Sequence, residues 1–194
     1  MARSEPLFTA GEYRCDLMAP DEVPRLQQFF EANPEYFLAV EGAPPGPDAA
    51  REEFESLPPA DFTFERKYTL GFSDARGSLV ANADVVSDLL AKRVWHVGLF
   101  VVATRLHGAG AARPMYEALE RWMRSSGARW SRLGVVIGNA RAERFWERMG
   151  YVEVRKRRAV PMGNRTNDLR VMVKPLDGTL EEYRSLVARD REDS

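Results

Sequence analysis

One stretch restricts this chain more than any other. From Val94 to Val102 nearly every residue is apolar, and the run leads into Arg105-Leu-His-Gly-Ala-Gly-Ala-Ala-Arg-Pro114 and then a helical pattern. A strand that is apolar on both sides belongs in the middle of a sheet covered on both faces. A glycine-rich turn that opens a helix leaves unpaired amides, backed by partial positive charge, where an anion can sit. Pro114 has no N–H to lose, so it fits only in the first turn and puts the helix start near Gly110–Ala111. The amides of Gly108 to Ala112 are then free, and Arg105, His107 and Arg113 add charge beside them. His107 reads as a phosphate contact or a solvated side chain.

Two other phosphate-binding patterns are excluded. A dinucleotide fold needs a third glycine three residues after Gly110, where Arg113 stands, and a P-loop needs Gly-Lys-Ser/Thr, which is absent. On its own, Gly-x-Gly is most often a plain turn.

The elements around this segment follow from periodicity and punctuation. Glu12–Met18 reads as a strand. Val23, Leu26, Phe29 and Phe30 mark the buried face of a helix capped by Asp21 and stopped at Asn33-Pro34. A loop from Glu41 to Pro59 holds a short helix near Ala49–Phe54. Phe62–Phe72 and Ser78–Asp88 read as strands joined by a turn. After the helix ending at Gly127 come a strand (Trp130–Ile137), a helix closed by Gly150 and a strand pair (Tyr151–Arg158, Asp168–Leu176). The capping box Thr179-Leu-Glu-Glu182 opens a terminal amphipathic helix, packed on the body or on a partner. The order is that of one α/β domain on a mixed sheet, over residues 1–176, with a C-terminal helix and tail over 177–194.

Composition narrows the classes. At 194 residues, with 44% hydrophobic and 29% charged, the chain is globular and single-domain. Cys15 is the one cysteine, which excludes an internal disulfide and a Cys₂ or Cys₄ zinc site; no metal is expected, and Cys15 itself reads as core. No apolar run reaches about 18 residues and no apolar leader is visible, so a cytoplasmic chain with no membrane partner is expected. The charge is split: residues 1–90 carry 17 acids and 7 bases, residues 101–163 carry 5 acids and 13 bases. Such a split suits an anionic ligand on the second half and a cationic one on the first. The basic run Arg155–Arg158 is short and the net charge is −1, so no nucleic-acid partner is expected.

Arg105-Leu106-His107-Gly108-Ala109-Gly110 resembles Arg/Gln-x-x-Gly-x-Gly/Ala, the pyrophosphate signature of the GNAT superfamily of acyl-CoA-dependent N-acyltransferases. Asn139-Ala-Arg-Ala142-Glu-Arg-Phe145-Trp146-Glu-Arg-Met-Gly150-Tyr151 is similar to that family's second signature, Asn-x-x-Ala-x-x-Phe-Tyr-x-x-x-Gly-Phe, and begins 34 residues after the first. The resemblance implies a mostly antiparallel sheet with helices on both faces and a splay between the Val94–Val102 and Trp130–Ile137 strands. It implies that pantetheine enters the splay against the backbone of Gly98, Phe100 and Val102, with pyrophosphate on Arg105, Leu106, His107, Gly108, Ala109, Gly110, Ala111 and Ala112. Asn139, Ala142 and Trp146 would flank the cofactor, Asn139 also capping its helix, and amides near a Leu99–Phe100 bulge would polarise the thioester.

The implied activity is direct transfer of acetyl from acetyl-CoA to a primary amine. The alternative is a module of the same fold that binds or senses acyl-CoA without turnover. His96, nine residues before Arg105, stands where some members place a general base, or is a satisfied structural histidine. The family's usual tyrosine, which protonates the leaving thiolate, is Trp146 here. An indole N–H is no acid, so either another group serves, with Tyr116 and Tyr151 available, or water does, or the thiolate leaves unaided. In this fold the first helix and following loop wall the acceptor. Residues 20–61 hold ten acids against Arg25 and Arg51, with Phe30, Tyr36, Phe37 and Phe54 interleaved. A cationic small molecule or basic peptide is the expected acceptor, with Tyr36 and Phe37 as contacts; a homodimer is an assembly open to the chain.

Overall fold

The computed structural model describes residues 5–191; residues 1–4 and 192–194, the outer ends of the expected domain and tail, lie outside it. Eight strands form one sheet in the order β1-β2-β3-β4-β5-β6-β8-β7. They are β1 (Phe8–Ala10), β2 (Tyr13–Leu17), β3 (Arg66–Ser73), β4 (Leu79–Ser87), β5 (Val94–Val102), β6 (Trp130–Val136), β7 (Val152–Met162) and β8 (Arg165–Pro175). Every neighbouring pair is antiparallel except β5 and β6. This is the α/β domain with a mixed, mostly antiparallel sheet that the sequence implies.

Helices cover both faces. α4 (Ala112–Ser125) and α5 (Ala140–Arg148) pack on one, where Met115, Tyr116, Leu119, Met123 and Trp146 meet Trp95, Val97 and Leu133. α1 (Val23–Ala32), α2 (Glu35–Val40) and α3 (Ala49–Glu55) lie on the other, with Leu26, Phe29, Phe30 and Phe37 against Leu99 and Val101. On that second face α6 (Leu180–Leu186) covers the far end, Tyr183 and Val187 packing on Trp130, Val171 and Val173. The capping box of α6 forms as read: the Thr179 side chain accepts from Glu182 N at 3.1 Å, and Glu182 takes the Thr179 amide at 2.7 Å.

Several boundaries differ from the sequence expectation, each for a local reason. Asp21 does not cap α1. A 3₁₀ turn, Pro20–Glu22, precedes the helix, and Glu22 reaches back to the Ala19 amide at 3.0 Å. Asn33-Pro34 does end α1, but Pro34, with its fixed φ, also opens α2, which the loop-like composition hides. β1 is too short to leave a periodic signal. β3 starts at Arg66 rather than Phe62. The arms of β7 and β8 run on beyond the expected ends to a tight turn at Gly163-Asn164; the polar residues of these outer parts mask the strand periodicity in the sequence. The tip of that hairpin lies on α2: Asn164 donates to Glu41 O, and Asn167 to Val40 O, both at 2.8 Å.

Candidate active site

β5 and β6 pair from Val94–Trp130 to Val97–Leu133 and then part. Beyond that point β5 bonds only to β4, and β6 only to β8. The bulge that turns β5 outward sits at Gly98, which is left over between the Val97–Val85 and Leu99–Asp84 pairs. This is one residue before the expected Leu99–Phe100 position; glycine lets the strand bend there without a side chain in the gap. Gly98 is exposed at the mouth of the splay, while the Phe100 side chain packs inward on Tyr116 and Phe145.

At the end of β5 a 3₁₀ turn, Thr104–Leu106, leads into the glycine turn and α4. Gly108 and Gly110 both hold φ +79°, and a Cβ on either would meet no protein atom within 4 Å. The positive φ, and not crowding, is therefore what asks for glycine. Among the described residues no acceptor takes the amides of Gly108, Gly110, Ala111 or Ala112. The Ala109 amide, expected to be free, bonds to Leu106 O at 3.3 Å. His107 is half-buried: Nε2 lies 2.8 Å from Val102 O, and since a carbonyl only accepts, that nitrogen donates. Its other nitrogen can donate to a phosphate only when the ring is protonated. Arg105 rests 3.6 Å from Asp74, and Arg113 pairs with Glu117 at 2.8 Å.

The turn is tied to the end of α1 and the start of α2. Thr104 N donates to Asn33 Oδ1 at 2.7 Å, Asn33 Nδ2 donates to Phe29 O at 2.7 Å, and the Thr104 hydroxyl donates to Glu35. That hydrogen bond holds the Glu35 carboxyl below its ordinary pKa. Across the splay, Asn139 Oδ1 accepts from Ala142 N at 3.3 Å and caps α5, and Ala142 packs at the rim of the α4–α5 core.

Trp146 is buried among Tyr116, Phe145 and Tyr151, with ring centroids 4.9–5.4 Å away. The two tyrosines named as stand-in acids are buried too. The Tyr151 hydroxyl lies 2.5 Å from the Tyr116 hydroxyl and 2.5 Å from Ser131 Oγ, and burial pushes both phenols well up. Both hydroxyls are held within that buried hydrogen-bond chain. Phe37 is likewise a core ring, 4.9 Å from Phe30, so it is no acceptor contact; Tyr36 beside it is half-buried. Cys15 is fully buried, and its thiol is pushed up by burial.

The opposite face of the sheet carries a polar stripe that the sequence reading missed. Alternate residues of a strand share a face, and Lys67 and Thr69 of β3, Asn82 and Asp84 of β4, His96 of β5 and Arg132 of β6 fall on the side covered by α1–α3 and α6. The signal was present: polar residues two apart inside the apolar run Val80–Val86. Lys67 lies 3.0 Å from Asp84 and also donates to carbonyls at the C-terminal end of α3, those of Glu53 and of Ser56 just past it. Burial, and the charge of Glu53 after it, raise the Asp84 carboxyl to about 7, with Lys67 opposing. Burial and the charges of Glu53 and Glu52 raise Glu41 in the same way.

His96 sits between the two helical covers, half-buried. Burial, and then the Arg132 guanidinium, push its pKa down to about 3. Arg132 Nη1 is 3.4 Å from His96 Nδ1. At neutral pH the ring is neutral with that lone pair turned to a cation, which is a poor arrangement for a base.

The comparisons agree with this geometry. A family model described as the acetyltransferase (GNAT) family matches residues 26–151. No curated protein matches the chain. Among solved structures, the chain is similar to the ribosomal-protein-S18-alanine N-acetyltransferase of Escherichia coli: TM-score 0.64, 16% identity, over 86% of this chain and 96% of that one. It is also similar to an acetyltransferase of Thermus thermophilus: TM-score 0.66, 21% identity, 84% and 97% covered. A third is the spermidine N-acetyltransferase of Vibrio cholerae, solved with CoA and spermine: TM-score 0.66, 14% identity, 85% and 96% covered. At these identities the structures speak for the fold. Among the described residues no helix is long and apolar enough to cross a membrane.

Proposed function

The chain belongs to the acetyltransferase (GNAT) family, and from that premise we propose that it transfers an acetyl group from acetyl-CoA to a cationic primary amine, in one complex and without a covalent acyl-enzyme. The observation that carries the cofactor half is the joining of two features at one end of β5. The splay beyond Val97 leaves strand backbone unpaired, and the amides of Gly108, Gly110, Ala111 and Ala112 at the start of α4 have no protein acceptor among the described residues. Unpaired strand backbone suits the amide-bearing pantetheine arm, and free amides at a helix N-terminus suit a pyrophosphate. Bound acetyl-CoA supplies the thioester; the bulge at Gly98 offers its backbone to the carbonyl as charge develops there.

The cationic acceptor rests on the other face. Many of the acids in residues 20–61 are already paired: Glu22 with Arg25, Asp61 with Arg189, Glu35 with Thr104. Glu53 instead adds negative charge beside both Glu41 and Asp84, the latter also paired with Lys67 at 3.0 Å, and that charge adds to burial in holding Glu41 and Asp84 above their ordinary pKa values. A cation placed among them relieves the repulsion, whereas an anion adds to it. Spermine in the Vibrio cholerae structure is a ligand of that chemical class.

A second reading has one observation in its favour. With Trp146 in the tyrosine's place, and Tyr116 and Tyr151 bonded to each other in the core, neither phenol is placed to protonate a thiolate. A module that binds acyl-CoA without turnover needs none. Free-thiol release from acetyl-CoA, measured with a panel of amines, separates the two. Amine-dependent release in step with acetylated product supports transfer. Thermal stabilisation by CoA with no release on any amine supports the module.

A further inference from the structure

The C-terminal segment reaches the splay through buried charge. Asp190, in the 3₁₀ turn Ala188–Asp190 after α6, is 0% exposed, and Arg132 in the middle of β6 is 5% exposed. They form a two-pronged pair, Arg132 Nε to Asp190 Oδ2 at 2.6 Å and Nη2 to Oδ1 at 3.1 Å. The Tyr183 hydroxyl of α6 donates to the same carboxylate at 2.5 Å. The prong of Arg132 left over, Nη1, is the one that faces His96 Nδ1. A guanidinium has no lone pair to offer, so the hydrogen lies on arginine and Nδ1 accepts. The neutral imidazole then carries its proton on Nε2. The ring's Cδ2, next to Nε2, is 3.9 Å from where a side chain on Gly98 would begin. The Cδ2 side of the ring is thus the side nearer the bulge, and the Nδ1 side faces Arg132.

We propose that His96 works in transfer as a fixed neutral hydrogen-bond donor, its Nε2–H held toward the Gly98 bulge, and that Arg132, Asp190 and Tyr183 are the positioning residues that hold it there. The role for His96 rests on the transfer reading above; the relay stands on its own geometry. A donor beside the bulge meets the thioester oxygen as it gains negative charge, and loses that bond when the acyl group departs. No atom is transferred to or from the ring. The groups around the relay agree with one protonation state. Val86 opposite His96 on β4 is apolar. Against burial, the hydrogen bond and charge of Arg132, then the Tyr183 hydroxyl and the charge of Arg155 of β7, hold the Asp190 carboxyl below its ordinary range, and Asp190 in turn keeps Arg132 charged. A buried ion pair that also satisfies a phenol is a device for holding one geometry. On this view residues 180–190 belong to the working site rather than to a tail.

The test is made on the full chain, whose two histidines can be told apart by a His107→Gln variant. Nitrogen-detected NMR of the wild type should show His96 protonated on Nε2, bare on Nδ1, and untitrated between pH 5 and 8. The double variant Arg132→Met with Asp190→Asn removes both charges at once. In it His96, still held below the ordinary value of about 6.5 by burial, should titrate at a clearly higher pH than in the wild type. Its kcat should fall at least about 10-fold with KM for acetyl-CoA within about 2-fold, and its rate profile should gain a limb near that pH. Tyr183→Phe, which keeps the ion pair, should lower kcat a few-fold with the tautomer unchanged. A wild-type His96 protonated on Nδ1, or titrating near 6.5, overturns the relay even if the double variant does not fold. A folded double variant with wild-type kcat and pH profile overturns the catalytic use. If no amine releases thiol with any form of the protein, the transfer reading falls, and the spectrum still decides the relay.

Discussion

The two faces of the central sheet are fed by alternate residues of the same strands, yet they are built on opposite principles. Under α4 and α5 the strands offer Val85, Trp95, Val97 and Phe100, and the polar atoms buried there, the hydroxyls of Tyr116, Ser131 and Tyr151, satisfy one another. Under α1–α3 and α6 the same strands offer Asp84, His96 and Arg132, whose partners lie on other elements, and whose pKa values burial and neighbouring charge displace. Packing is indifferent to salt and pH; buried charge is not. On the proposed reading, the cofactor side is set by shape and backbone, while discrimination among acceptors falls to the charged side. Substitutions on the two faces should therefore fail in different ways.

The largest effect is expected on the apolar face. Trp146→Ala removes a buried indole from a ring cluster and should cost about 3–5 kcal/mol of stability in urea unfolding. A loss below about 1 kcal/mol would mean that Trp146 is not core. Gly110→Asp comes next. It sets a carboxylate at the free amides and should weaken CoA binding by at least about 10²-fold in calorimetry, with the unfolding midpoint nearly unchanged. Unchanged CoA affinity would break the assignment of the turn.

On the charged face the failure should be in rate and in pH dependence. His96→Ala should lower kcat by about 10²-fold with little change in CoA affinity, and His96→Gln, which keeps an N–H, should recover part of it. The sign of the stability effect follows from the depressed pKa. The folded chain wants His96 neutral, while the unfolded chain protonates it below about 6.5. Its contribution is thus complete above that pH and is lost as pH falls toward about 3. At pH 5 the loss is about 2 kcal/mol by the 1.36 kcal/mol per unit conversion. Denaturant unfolding at pH 7 and pH 5 should show the wild type losing that much more than His96→Gln; equal losses would return the ring to an ordinary environment. The smallest effect belongs to Glu53→Gln. It should raise KM for a dicationic amine about 3–10-fold at low salt and less at high salt, leaving CoA binding alone. An unchanged KM would detach the acidic cluster from the acceptor.

How much of this was legible in the sequence follows from the same contrast. The cofactor side announces itself locally. An apolar strand, Gly108, Gly110 and Pro114 follow one another along a single stretch of chain, and Asn139 to Gly150 span one helix and the residues that bound it, so motif and structure coincide. The charged side is assembled from distant segments. Asp190 meets Arg132 across 58 residues, and Lys67 meets α3 only because the sheet brings them together. His96 read as a base because a lone histidine on that strand carries no sign of the guanidinium beside it. Tyr116 and Tyr151 looked available as acids because nothing local shows that their hydroxyls face each other. Phe37 looked like an acceptor contact because the short α2, hidden behind Pro34, turns it into the core.

The most direct measurement is an acceptor screen with acetyl-CoA at low and at high salt, reading acetylated product. The expected result is that a polyamine-like or otherwise cationic amine is the best acceptor, that its KM rises with salt, and that KM for acetyl-CoA changes little on the His96→Ala and Glu53→Gln backgrounds. A best acceptor that is anionic, or a cationic one whose KM ignores salt, would contradict the claim that the charged face selects the amine.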